Sequence, residues 1–197
     1  VAANGAVLID LEQQRVEQTF PIPRQDLLTA VTAVRELLPG ASFAVEHVRP
    51  GSAVPMLDPV DQLEDRSQPP AFGHEPAYRG LALKHPRMPK TAPIEELIEV
   101  GDVVKLLARG PADEAGDPDR TMHTIAHELA DVISVTHSTT KAVLLEMSRL
   151  GTSKATGLAA LAQHHGIQAD EVVAIGDMPN DLPMLRWAGT GLAVGNA

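Results

Sequence analysis

The 197-residue chain has no cysteine, which excludes disulfides and thiolate metal sites. That composition suits a reducing cytoplasm. Aromatic residues are scarce, at 3% of the total, so large aromatic anchors cannot dominate a core. The core must be built from Ala, Val, Leu and Ile, through many small contacts. No apolar run approaches the roughly 18 residues of a membrane-spanning helix, so none is expected. No signal peptide is recognisable at the start. Basic residues are outnumbered, 16 Lys and Arg against 26 Asp and Glu, for a formal net charge of −10. Such a balance argues against non-specific binding to nucleic acid or anionic membranes. It leaves an anionic small molecule open as a partner, because one metal ion and one lysine can reverse the local field. There is no internal repeat and no low-complexity tract, and nothing in the sequence specifies an oligomeric state.

Apolar residues make up 44% of the chain and charged residues 21%, the profile of a globular protein with one large domain or two small ones. The chain opens on Val1-Ala2-Ala3-Asn4 without an initiator Met and closes on Leu192-Ala193-Val194-Gly195-Asn196-Ala197. Both ends read as cuts through a fold. Alternation around Glu12-Gln13-Gln14-Arg15 predicts a hairpin over Ala6 to Phe20. Leu27, Val31, Val34 and Leu38 fall at helical spacing over Asp26 to Leu38, and Pro39-Gly40 stops the run. Ser42 to Val48 reads as a strand. Residues 49–93 are rich in Pro and predict loops with at most short elements, either a surface insertion or a substrate-contacting segment.

Further on, Ile94 to Glu99 predicts a short helix, Val103 to Ala108 a strand and Asp119 to Ala130 a helix. Val132 to Thr136 and Ala142 to Met147 predict strands. From Ser153 the pattern becomes a regular alternation: helix to His165, strand Val172 to Ile175, helix Asn180 to Ala188 and strand Leu192 to Val194. That order indicates a parallel α/β sheet, with Val172 to Ile175 as a buried strand.

Two segments carry chemistry. In the first, the apolar strand Val172-Val173-Ala174-Ile175 runs into Gly176-Asp177, then Met178-Pro179-Asn180-Asp181 opens a helix. Ligands of open parallel sheets bind beyond the carboxyl ends of the strands, where Asp177 would stand. A hard cation such as Mg²⁺ takes carboxylate oxygens and keeps some water, so Asp177 can supply one ligand. Asn180 or Asp181 can cap the following helix, with Pro183 in its first turn. The plainer alternative makes both carboxylates caps alone. In the second segment, Gly151-Thr152-Ser153-Lys154-Ala155-Thr156-Gly157 places Lys154 at a helix start, where the helix dipole disfavours a cation. Either the charge has a task there or it is simply solvated. The segment is not a phosphate loop of the Gly-Lys-Ser/Thr type.

Other features are weaker. His123 and His127 could share a helix face and hold Zn²⁺, but Thr124 stands where a metalloprotease has Glu, and no third ligand is evident. His164-His165 suits a helix C-terminus. Gly189-Thr190-Gly191 reads as an ordinary turn.

Taken together, Lys154, a helix, a buried strand, Gly-Asp-x-x-Asn-Asp-x-x-Met-Leu and the closing Gly-x-Ala-x-Gly-Asn-Ala resemble the Cof-like phosphatase branch of the haloacid dehalogenase superfamily. The match is unbroken from about Gly151 to Ala197. Ala3-Asn4-Gly5-Ala6 resembles the short core strand that precedes the cap in that branch. The resemblance implies a Rossmann-like parallel α/β core, incomplete in this chain, with an inserted α+β cap. It assigns residues 1–5 and 149–197 to the core and 6–148 to the cap. It also implies that Lys154 binds the phosphoryl group, Asp177 ligates Mg²⁺, Asn180 lies near the phosphate and Asp181 supports them.

The implied activity is Mg²⁺-dependent hydrolysis of small phosphorylated metabolites, sugar phosphates among them, through an aspartyl-phosphate. The family's Asp-x-Asp nucleophile would lie before residue 1. The chain alone is then expected to be inactive, with an open edge or a substitute strand beside Val172–Ile175. A chain truly without the nucleophile would instead be a phosphate-binding or interaction module. Asp117-Pro118-Asp119-Arg120-Thr121 mimics the motif, but no apolar strand precedes it. It reads as a helix start with Asp119 near the cap.

Overall fold

A computed structural model describes residues 1–52, 72–78, 90–111, 117–136 and 143–195. The predicted hairpin forms from β1 (Val7–Asp10) and β2 (Arg15–Thr19), paired antiparallel. Its turn is closed by the Asp10 carboxylate, which accepts the N–H groups of Glu12 and Gln13, each at 2.9 Å. Helix α1 (Arg24–Leu37) starts directly after Pro23 and buries Leu27, Ala30, Val31 and Val34, one stripe at helical spacing.

That stripe packs against a mixed six-stranded sheet. In spatial order its strands are β5 (Lys90–Thr91), β4 (Phe72–His74), β3 (Ser42–His47), β6 (Val103–Arg109), β8 (Leu144–Arg149) and β7 (Ile133–Thr136). Helices α2 (Ile94–Ile98) and α3 (Pro118–Glu128) join α1 over the same core. Leu106, Ala108, Ile133, Leu145 and Met147 are buried in it. Because side chains alternate along a strand, Lys105, Leu107, Thr136 and Glu146 fall on the opposite face. Register brings Glu146 opposite both Leu107 and Thr136, and Lys105 opposite Glu46.

After β8 the chain changes layer. Helix α4 (Lys154–His164) leads to β9 (Val173–Gly176), then to α5 (Leu182–Trp187) and β10 (Thr190–Ala193). Strands β9 and β10 are parallel, with Val173 opposite Thr190 and Gly176 opposite Ala193. The architecture is thus an α+β sheet domain beside a Rossmann-like parallel element.

Several expectations are corrected. The strand at β9 was expected to be buried, yet Val173 and Ile175 are 62% and 59% exposed while Ala174 is covered. The reason is that α5 packs on one face of β9, and the described residues leave the side chains of the other largely exposed. The open edge expected beside this strand is present: no strand among the described residues pairs with the edge of β9 away from β10. Ala3–Gly5 is no strand but a single 3-10 turn, with φ of +48°, +56° and +101° at Ala3, Asn4 and Gly5. The last helix starts at Leu182, after a 3-10 turn over Pro179–Asp181. Thr190 and Gly191, expected in a turn, lie within β10. The Asp117–Thr121 segment is a helix start with Asp119 in the first turn, as expected, and Asp117 is its cap, accepting the N–H groups of Asp119 and Arg120.

Of the Pro-rich segment 49–93, β4 and β5 are short elements, and 53–71 and 79–89 lie outside the described residues. So do 112–116, Ala142 and Asn196-Ala197. No helix among the described residues is long and apolar enough to cross a membrane.

The turn at Ala3–Gly5 sits tightly on the start of α4. A Cβ added at Gly5 would come within 1.9 Å of the Ser153 carbonyl oxygen, on a backbone at φ +101°. Gly5→Ala is therefore expected to cost more than about 3 kcal/mol, since backbone strain and a rigid clash add. Urea denaturation measures it, and a loss below about 0.5 kcal/mol, the scale of a neutral surface change, would contradict the close packing.

Candidate active site

The parallel strand β9 delivers its chemistry through the turn that follows it. At Gly176 a Cβ would lie 2.5 Å from the Cβ of Asp181, so only glycine lets Asp181 fold beneath the strand end. Asp181 is 4% exposed. Its Oδ2 accepts the backbone N–H groups of Asp177 and Met178, both at 3.0 Å. Its Oδ1 accepts from Lys154 Nζ at 2.5 Å. Neither Asn180 nor Asp181 caps α5, contrary to expectation, because both side chains turn back to Lys154 instead.

Burial pushes the Asp181 carboxyl up. The hydrogen bond from Lys154, the N–H groups of Met178 and Asp177, and the lysine's charge outweigh burial and hold it below its ordinary value. A depressed carboxyl contributes stability that is fully present above its unfolded value of 3.8 and is lost as pH falls through its folded value. Stability is thus expected to be flat through neutral pH in this component and to drop below about pH 4. Asp181→Asn should remove that acid-dependent part of the unfolding curve. An unchanged pH profile in this variant would contradict the account.

Lys154 is the first residue of α4. Ser153 caps the helix, accepting the N–H of Thr156 at 3.4 Å and donating its own N–H to Thr156 Oγ1 at 2.8 Å. A cation at this end opposes the helix dipole. It is held there by Asp181 and by Asn180, whose Oδ1 accepts from Lys154 Nζ at 3.2 Å. Three of the four residues singled out in the sequence, Lys154, Asn180 and Asp181, thus touch directly. Asp177 joins them through its backbone. Its side chain is exposed, and among the described residues its carboxylate takes part in no hydrogen bond or ion pair. A free hard-oxygen donor beside a fixed lysine fits a hydrated Mg²⁺ as one ligand. Among the described residues no three His, Cys, Asp or Glu side chains group as a metal site, around Asp177 or at His123 and His127.

No sequence signal announces the residues that link this cluster to the six-stranded sheet. Asn4 Nδ2 donates to Glu146 Oε2 at 2.7 Å and to Thr136 Oγ1 at 3.4 Å, across 142 and 132 positions of chain. Lys105 Nζ lies 3.4 Å from the same Glu146 oxygen. A cavity of about 320 Å³ is lined by Asn4, Lys105, Lys154 and Met184 among others. A second, of about 190 Å³, is bounded by His123, Thr136, Leu145 and Asn180 among others. His164 stands apart, its Nε2 3.8 Å from Glu17 Oε1.

Comparison with known proteins identifies the family. The stress response protein YhaX of Bacillus subtilis is 34% identical over 123 residues, 60% of this chain and 42% of that protein. The 5-amino-6-(5-phospho-D-ribitylamino)uracil phosphatase YitU of the same organism is 40% identical over 53 residues, 27% of this chain and 20% of that protein. A solved phosphatase of the haloalkanoate dehalogenase superfamily from Bacteroides thetaiotaomicron superposes with a TM-score of 0.64 at 27% identity. That superposition covers 98% of this chain and 61% of the other, so the chain spans less than two thirds of the relatives it matches. A parallel element with lysine and aspartates at its strand end agrees with the family profile that matches residues 1–197: the chain belongs to the haloacid dehalogenase-like hydrolases.

Proposed function

We propose that the protein is a Mg²⁺-dependent phosphatase of small phosphorylated metabolites, sugar phosphates among them. The observation that carries this reading is the placement of Lys154. It is fixed by Asp181 and Asn180 at the end of a parallel strand, beside the uncommitted carboxylate of Asp177. In this role Lys154 binds the phosphoryl oxygens and offsets the charge that develops as the group transfers. Asn180 contacts the phosphate. Asp181 holds Lys154 and the Asp177 turn in place. Asp177 is the residue that would hold Mg²⁺, and the ion, when bound, would supply positive charge to the transferring group.

The reaction forms a bond from a carboxylate oxygen to phosphorus as the ester oxygen leaves, and water then cleaves the aspartyl-phosphate. Among the described residues no third acid joins Asp177 and Asp181. Following the family resemblance, we take the nucleophile to lie outside residues 1–197 and expect the chain alone to be inactive. Residues 1–5 and 149–197 serve as core and 6–148 as cap. The cap closes over the site, excludes water and selects the substrate. The phosphatase relative in Bacillus subtilis supports a small phosphorylated substrate of this kind. The test is hydrolysis of a generic phosphate ester by the full-length protein during Mg²⁺ titration. Metal-dependent turnover is expected. Binding of phosphate without turnover would instead favour a phosphate-binding module.

A further inference from the structure

Asn4 lies between the two halves of the molecule. It takes the left-handed conformation, φ +56° and ψ +30°, between Ala3 at +48° and Gly5 at +101°. Asparagine enters this region more readily than most residues. The turn brings one amide side chain within reach of partners on both sides. Its Nδ2 donates to Glu146 Oε2 at 2.7 Å and to Thr136 Oγ1 at 3.4 Å, on the face of the six-stranded sheet opposite its helices. Its Oδ1 accepts from Asn180 Nδ2 at 3.5 Å, the loosest link.

The amide orientations are not independent. Lys154 can only donate, so it takes the oxygen of Asn180 and leaves that residue's NH₂ to face Asn4. Asn4 must then present its oxygen to Asn180 and its NH₂ to the Glu146 carboxylate, which also receives Lys105. The result is one polarised series, Lys154 to Asn180 to Asn4 to Glu146, with every donor matched to an acceptor. Asn180 and Glu146 are both buried, at 7% and 9% exposure, so water cannot readily replace a lost partner.

We infer that Asn4 is a positioning residue: its side chain ties the sheet carboxylate Glu146 to Asn180 and so sets how Lys154 presents itself to phosphate. The inference rests on the phosphate-site reading above. It predicts that a change at Glu146, on the sheet, alters phosphate affinity at a lysine that Glu146 does not touch.

The test is the affinity of the full-length protein for orthophosphate, by calorimetry, with Mg²⁺ present. Asn4→Asp is the informative variant, because aspartate keeps the shape and tolerates the left-handed backbone but cannot donate to Glu146. It sets two carboxylates face to face and should weaken orthophosphate about tenfold, the scale of one lost hydrogen bond. Adding Glu146→Gln reverses the roles, with the new amide donating to the new carboxylate. The double variant should recover to within about threefold of the parent, well inside that one-bond range. A lowered melting temperature with unchanged phosphate affinity, or a double variant no better than Asn4→Asp, overturns the inference. Lys154→Ala is the control. If it leaves orthophosphate affinity unchanged, the phosphate site itself is wrong. The Asn4–Glu146 tie is then decided by urea denaturation of the same variants, where rescue supports it and additive losses reject it.

Discussion

Asp177→Asn in the full-length protein is expected to lower Mg²⁺-dependent hydrolysis of a phosphate ester by about 100- to 1,000-fold, the range for loss of one electrostatic contributor at a transition state. The substitution keeps size and shape and removes one negative charge. Since the Asp177 backbone N–H, not its side chain, supports Asp181, the turn should survive. The Asp177 side chain is exposed and makes no ion pair among the described residues, so stability should change by less than about 0.5 kcal/mol. The effect should therefore show as a higher Mg²⁺ requirement and a lower kcat, with an unchanged urea midpoint. A variant with wild-type rate and wild-type metal dependence would remove Asp177 from the site.

Lys154→Met should combine two losses. Catalysis should fall by about 100- to 1,000-fold, because no other cation contacts Asn180 and Asp181 among the described residues. Stability should fall as well, because Asp181 is left as a buried carboxylate without its cation. Removing one partner of a fully buried pair costs about 3–5 kcal/mol. Lys154 keeps 30% of its side-chain exposure, and two backbone N–H groups still serve Asp181, so about 2 kcal/mol is expected here. The pH dependence distinguishes this cause from lost packing. Without the lysine, its hydrogen bond and charge no longer hold the Asp181 carboxyl down, so it protonates at a higher pH than in the parent, which relieves the unpaired charge. The stability gap between variant and parent should narrow as pH falls toward 4. A gap that stays constant across pH would assign the loss to packing.

The sequence made the strand-to-turn chemistry legible because it is local. Gly176, Asp177, Asn180 and Asp181 span six positions, and one turn holds all four at the candidate site. Lys154 was legible as an oddity, a cation where the helix dipole disfavours one, and its partners explain the placement. The caps were read less well. A carboxylate near a helix start has several possible N–H partners, and Asp181 chose the preceding turn, drawn by Lys154 and by the space that Gly176 leaves.

The turn at Ala3–Gly5 was missed because its cause lies at Ser153, far along the chain. The same holds for Asn4 and Glu146, whose pairing across 142 positions has no periodicity to announce it. The exposed residues of β9 differ for another reason. An apolar run reports the intended environment of a strand, and the described residues cover one face of it only.

The most direct test of the account is the Mg²⁺ dependence of orthophosphate affinity in the full-length protein and its Asp177→Asn variant, measured by calorimetry. The account predicts that Mg²⁺ tightens orthophosphate binding to the parent and that Asp177→Asn abolishes this tightening, while metal-free binding, held by Lys154, does not weaken. A parent protein whose orthophosphate affinity is indifferent to Mg²⁺, or a variant that keeps the full metal response, would contradict it.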